Sequence, residues 1–149
     1  LHRAPSVVWG TLQLPTGTAA AWTDRLARNV VIGQHGLVAL HEGRIVGSGG
    51  LHRLGFPADH AAMLGMSVHE DFQGRRVGGQ VLDALVTLGR DWLGLDRIEL
   101  EVYTDNPRAI ALYRSRGFIE EGVRRWNALR DGAHVDSLVM SLVRPDTAR

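Results

Sequence analysis

Residues 65–79, GMSVHEDFQGRRVGG, hold the most chemically suggestive spacing in the chain. A short apolar run, Gly65, Met66, Ser67 and Val68, gives way to a polar turn of His69, Glu70 and Asp71. Gln73, Gly74, Arg75, Arg76, Val77, Gly78 and Gly79 come next, and an apolar pattern of helical period begins directly after them. The order is strand, Gly- and Arg-rich turn, helix N-terminus. Such a turn aims several unpaired backbone N–H groups at one spot, at the positive end of a helix dipole. That arrangement binds a phosphate or pyrophosphate, so the stretch is expected to hold a phosphate-bearing cofactor. A P-loop nucleotide hydrolase fits poorly, because no Gly-Lys-Ser/Thr comes after the turn.

The elements that must position this turn are readable from pattern and punctuation. Strand 61–68 leads into it. Val77, Val81, Leu85, Leu88 and Trp92 then recur at three or four residues, one face of a helix over 77–93 that exits at Gly94. Residues 97–103 alternate strictly, with Ile98, Leu100 and Val102 on one face and Glu99 and Glu101 on the other, which predicts a strand. Asn106 and Pro107 open a further helix, Asn as cap and Pro at the first helical position, and Gly117 ends it. Upstream, Thr18 can cap a helix over 19–28, and Glu42-Gly43 joins strands 37–41 and 44–51 before a loop at 52–60. Downstream, Asp131-Gly132 joins strands 118–128 and 133–143. The sum is an α/β fold with a mixed sheet.

At 149 residues the chain is expected to form one domain, 1–149. A net charge of +1 gives no reason to expect nucleic acid or a membrane surface as partner. No run is long enough to span a bilayer, and cytoplasmic location is the default expectation. The absence of cysteine removes disulfides, thiolate metal ligands and a cysteine nucleophile. All 17 basic residues are arginine, which genomic base composition explains without any function. No spacing of histidines and carboxylates suggests a metal site, so no metal is expected.

Two motifs together resemble the GCN5-related N-acetyltransferase (GNAT) family. Gln73 to Gly79 looks like that family's acetyl-coenzyme A pyrophosphate loop: Gln or Arg, two residues, Gly, one residue, then Gly or Ala. Asn106-Pro107-Arg108-Ala109-Ile110-Ala111-Leu112-Tyr113, with Arg116-Gly117-Phe118 after it, looks like its second signature. The likeness covers about 22–144. One departure stands out: Arg76 occupies the position of the first loop glycine, where a side chain is tolerable if the local φ is negative. The Arg76 guanidinium would then be able to add a charged contact to the cofactor's phosphates. Within the family, the segment 98–118 with Asn127 to Gly132, Val135 and Asp136 looks like bacterial members that acetylate free L-amino acids of phenylalanine or methionine type, as do Thr11 to Pro15 and Trp22.

The resemblance implies a mostly antiparallel central sheet flanked by helices, with splayed strands at the cofactor site. It also implies a strand and part of a helix ahead of Leu1, so the first strand is expected to be missing from the given chain. Acetyl-CoA would be the cosubstrate, its pantetheine arm held by the backbone of Met66, Ser67 and Val68, and its thioester carbonyl polarised by an N–H of the same segment, worth roughly 3 kcal/mol. Asn106 and Ala109, at the start of the second signature, would lie against the same arm, with Asn106 also capping its helix. Tyr113 would be the general acid, since a phenol of pKa about 10 can protonate a thiolate of pKa about 8.5. Glu101 is the candidate base, through water, with a solvent-facing strand carboxylate as the equal alternative. His52 and His134 are further cleft candidates. Arg124, Arg125 and Arg130 are candidate cations for a substrate carboxylate, and Asp136 is a candidate for its amine. The expected acceptor is a primary amine on a small molecule; a protein N-terminus, a polyamine, an antibiotic amine or a non-catalytic acyl-CoA sensor are the alternatives. The long terminal hairpin is a surface on which two subunits could pair as a homodimer.

Overall fold

A computed structural model describes residues 34–145. In chain order these form β1 (His35–His41), β2 (Arg44–Arg53), β3 (Ala61–Val68), a 3₁₀ turn at Glu70–Phe72, α1 (Val77–Thr87) running on into a wider π turn at Leu88–Trp92, β4 (Arg97–Tyr103), α2 (Pro107–Ser115), β5 (Ile119–Arg130) and β6 (Ala133–Val143). The helix expected at 19–28 and the missing first strand lie outside the described residues. The strands make one sheet in the order β1-β2-β3-β4-β6-β5. Only β3 and β4 run parallel, joined by the crossover through α1; every other neighbour is antiparallel. This is the mixed, mostly antiparallel sheet with flanking helices that the resemblance implies.

The turns arise from residues that accept left-handed backbone. Glu42 and Gly43 have φ of 49° and 76°, and Asp131 and Gly132 have 50° and 75°. Two consecutive positive φ values match the twist of the flanking strands and close each hairpin in two residues. β2 extends to Arg53, past the expected loop start, because His52 and Arg53 pair with Met63 and Ala62.

Both helices pack into one apolar cluster. Leu82 and Leu85 of α1 and Ile110 and Tyr113 of α2 meet Ile98 and Leu100 of β4, with Met140 of β6 fully enclosed. Trp92 does not join them. The π turn admits one more residue per turn, which rotates the end of the helix and leaves Trp92 81% exposed while Leu93 packs on the core. The wider turn also sets Gly89 against the core; a Cβ there would lie 3.0 Å from Ile98 Cδ1.

The opposite face of β4, β6 and β5 is polar. Arg97 bonds Glu121 through both terminal nitrogens and Glu99 through Nε, and Ser141, fully buried, donates to Glu121. The hydrogen bond from Arg97, then that from Ser141, holds the Glu121 carboxyl down to about 2. A depressed folded pKa stabilises the fold above the ordinary carboxylate value of 4.5, and that stability is lost as pH falls toward 2. The Glu121 side chain is 34% exposed, so solvent screening leaves about 1 kcal/mol of it. Chemical denaturation across this pH range should therefore show Glu121→Gln losing about 1 kcal/mol at neutral pH and almost nothing at pH 2.

Candidate functional site

β3 and β4 are joined by three residue pairs, Ala61 with Arg97, Ala62 with Ile98 and Met63 with Glu99, and then part. Beyond that point each strand keeps its other neighbour. β3 stays paired with β2 from Leu64 opposite Leu51 to Val68 opposite Gly47, and β4 with β6 from Leu100 opposite Met140 to Tyr103 opposite Ser137. The opening is therefore a wedge between two intact half-sheets. The β3 side of the wedge is five residues long, about 16 Å at strand rise. Every second residue along such an edge turns its N–H and C=O outward. Met66 and Val68 are half-buried on this edge and Ser67 is buried, its hydroxyl 3.3 Å from that of Ser48 on β2.

The turn after β3 closes the wide end. Gln73 donates from Nε2 to the Val68 carbonyl, pinning the turn to the strand end. Gly74 has φ +77°. Arg75 lies over the Phe72 ring, 5.2 Å from its centre. Arg76 has φ +66° and ψ 4°, against the expectation of a negative φ. It reproduces the left-handed backbone that a glycine supplies at this place, at a cost of about 1–2 kcal/mol for a residue with a Cβ. The two helix starts then differ in one respect. α2 is capped, Asn106 Oδ1 accepting from Ala109 N at 3.2 Å; α1 has no side-chain cap. The first N–H groups of α1, at Val77, Gly78 and Gly79, therefore have no capping side chain.

Tyr113 stands on α2, 8% exposed, its ring 5.8 Å from that of Phe118. Its hydroxyl makes no hydrogen bond with a described residue. Burial pushes the phenol up to about 12, so it keeps its proton at any ordinary pH. Asn106 spends its carbonyl oxygen on the cap, which leaves its amide NH₂ without a described partner.

Glu101 lies past the fork on the polar face of β4. Its Oε1 is 2.5 Å from Arg124 Nη1, and its Oε2 accepts from Asn127 Nδ2 at 2.8 Å and Ser137 Oγ at 3.3 Å. These partners sit 23 to 36 positions away in sequence, and no spacing or local pattern marks Asn127 or Ser137 as part of the site. Arg130 pairs with Asp105 and lies over the Tyr103 ring, whose phenol burial also raises. Arg125 has no acidic partner among the described residues. Asp136 Oδ1 accepts from Trp126 N, and His134 stacks beneath the Trp126 ring at 4.6 Å. His52 bonds Gln34 through Nδ1. Among the described residues no group of acidic and histidine side chains gathers to hold a metal ion, and no helix is long and apolar enough to cross a membrane.

An open strand edge inside a sheet, with an uncapped helix start beside it, is the frame that the described residues present. The acetyltransferase (GNAT) family model matches residues 7–118, and the chain belongs to that family: it is an acetyl-CoA-dependent N-acetyltransferase acting on an amine. It is 35% identical over 145 residues to the L-amino acid N-acetyltransferase AaaT of Escherichia coli (strain K12), covering 97% of this chain and 88% of that one. The [ribosomal protein bS18]-alanine N-acetyltransferase of Salmonella typhimurium is 36% identical over 84 residues, 56% of each chain. An acetyltransferase from Salmonella typhimurium determined with its cofactor acetyl-CoA superposes with a TM-score of 0.84 at 18% identity, over 94% of this chain and 82% of that one, which shows the fold.

This geometry has two measurable consequences. Arg76→Gly removes the left-handed penalty of about 1–2 kcal/mol and adds about 0.5–1 kcal/mol of backbone entropy, so denaturant melts should show a net gain of roughly 0.5–1 kcal/mol. A loss would mean that the Arg76 side chain supports the loop. For Tyr113 the raised folded pKa gives stability that is fully present below pH 10 and is lost as pH rises through about 12. Ultraviolet titration should place one phenolate step near 12, and Tyr113→Phe should abolish that step.

Proposed function

We propose that the protein, as a single-domain cytoplasmic enzyme, acetylates the amine of a small molecule, and that a free L-amino acid is the acceptor. The observation that carries this reading is the extent of likeness: the L-amino acid enzyme is matched along 97% of this chain, the ribosomal-protein-alanine enzyme along 56%. The two acceptors differ in the group attached to the α-carbon, a carboxylate in the free amino acid and a peptide bond in the protein N-terminus. A carboxylate calls for a cation. Of the three candidate arginines, Arg124 is committed to Glu101 and Arg130 to Asp105, so Arg125 is the one assigned to it. Arg125 lies within the irregularity between Arg124 and Ala128 that also sets Trp126, 69% exposed, at the surface.

Acetyl-CoA supplies a thioester whose carbonyl carbon the amine attacks; a C–N bond forms and the C–S bond breaks. The backbone of Met66, Ser67 and Val68 holds the arm and donates to the carbonyl oxygen, while Gln73 to Gly79 holds the diphosphate. Glu101, through a water, takes the proton released by the amine. Its carboxylate is fixed by Arg124, Asn127 and Ser137, so the relaying water must share an oxygen with one of them. Tyr113 donates to the departing sulfur. A phenol held at about 12 is a weaker acid than a free thiol of about 8.5, so Tyr113 acts first as a hydrogen-bond donor to the negative charge that builds on sulfur as the C–S bond breaks.

Tyr113→Phe should lower kcat by 10²- to 10⁴-fold with little change in the KM for acetyl-CoA, because the lost interaction belongs to the transition state. An unchanged kcat would remove the acid role. Release of free thiol from acetyl-CoA, measured over amino acids, their amides, short peptides and polyamines, separates the acceptors. Phenylalanine or methionine should outpace its own amide; turnover with peptides alone would favour the protein N-terminus, and no turnover with any amine a sensor.

A further inference from the structure

One face of α2 carries Arg108, Leu112 and Arg116 at intervals of four residues, and this face lies against the glycines of the phosphate turn. A Cβ on Gly74 would stand 2.8 Å from Arg108 Nη2, one on Gly78 3.4 Å from Leu112 Cδ2, and one on Gly79 2.7 Å from Arg116 Nη2. Two guanidinium groups are thus seated on two glycines, eight residues apart on one helix. Their electrostatic situations differ. Arg116 reaches across α1 to Asp83, with Nε 3.0 Å from Oδ1 and Nη2 3.3 Å from Oδ2, so its charge is answered within the protein. Arg108, exposed, has no acidic partner and no hydrogen bond among the described residues, and the turn it touches at Gly74 continues in sequence with Arg75 and Arg76. The acids of the adjoining turn do not compensate: Asp71 faces His69 at 3.7 Å, and Glu70 has no cationic partner among the described residues.

An exposed guanidinium with no acidic partner, held beside the glycine turn that leads into an uncapped helix, is placed to receive an anion. We propose that Arg108 is a ligand of a coenzyme A phosphate, supplied from α2 across the turn rather than by the turn itself. The proposal rests on the acetyl-CoA reading and deepens it. It gives Gly74 a second reason to lack a side chain, since a Cβ would displace the guanidinium as well as strain a φ of +77°. The guanidinium fork suits either the diphosphate or the ribose 3′-phosphate.

The test measures coenzyme A and 3′-dephospho-coenzyme A binding by calorimetry to the wild type, Arg108→Ala, Arg108→Lys and the surface control Arg44→Ala. Losing one charge-assisted contact should weaken coenzyme A about ten- to a hundredfold in Arg108→Ala, with partial recovery in Arg108→Lys and no change in Arg44→Ala. An equal loss with both ligands assigns Arg108 to the diphosphate; a loss with coenzyme A alone assigns it to the 3′-phosphate. Arg108→Ala should melt with the wild type, because no described residue depends on that side chain. Wild-type affinity in Arg108→Ala would overturn the proposal, and a wild type that binds neither ligand would overturn the cofactor reading beneath it.

Discussion

A strand edge left without a partner inside a sheet presents N–H and C=O groups that must find water or a ligand. In this fold the edge arises because β3 and β4 share only three residue pairs and then part, while each remains fully paired on its far side. Opening a sheet in its middle forfeits ladder bonds, and the structure tolerates it because the rest is over-determined. Leu64 and Leu100, just past the parting on either strand, are both buried in the cluster that α1 and α2 share. The helices thus hold the two half-sheets together from one side and leave the wedge as the place where backbone is still unsatisfied.

The wide end of the wedge is built on the same economy of unsatisfied groups. α1 begins without a side-chain cap and α2 begins with one. A cap is worth about 1 kcal/mol, so its omission at α1 is a standing cost that a bound anion reverses. The glycines around this start serve two ends that are easily confused. Gly74 has a backbone that favours glycine, with φ +77°, whereas Gly79 is buried beneath the Arg116 guanidinium, which seats on it. The Arg116–Asp83 pair that this seating permits ties α2 to α1 across the turn. The uncapped helix start and the packing of the two helices are therefore one arrangement seen from two sides.

Much of this architecture is legible in the residues. Strands 61–68 and 97–103 have the predicted bounds, because alternation and flanking turn residues decide them locally. Asn106-Pro107 marks the start of α2, and the paired left-handed residues mark both hairpins. The misreadings share a cause. Helical periodicity places Trp92 on the buried face, but one π turn shifts the phase and turns it outward. A negative φ is the expectation for Arg76, as for any residue with a side chain, yet the turn imposes +66° on whatever occupies that position. The partners of Glu101 come from two later strands, and no local pattern announces a contact across 23 to 36 residues.

The two halves of the site are made of different material. At the open wedge the groups are mostly main-chain: an open strand edge, a helix start, and glycines that admit close approach. On the polar face the groups are side chains joined in networks, Arg97 with Glu99, Glu121 and Ser141, and Glu101 with Arg124, Asn127 and Ser137. Main-chain groups are indifferent to most substitutions. Side-chain networks answer to single substitutions. The β5 irregularity adds to this, since it holds Trp126 at φ +52° with its N–H fixed by Asp136. A bulky residue in left-handed backbone persists only where its surroundings insist on it. Single substitutions on β4, β5 and β6 can therefore alter these networks without disturbing the open edge of β3.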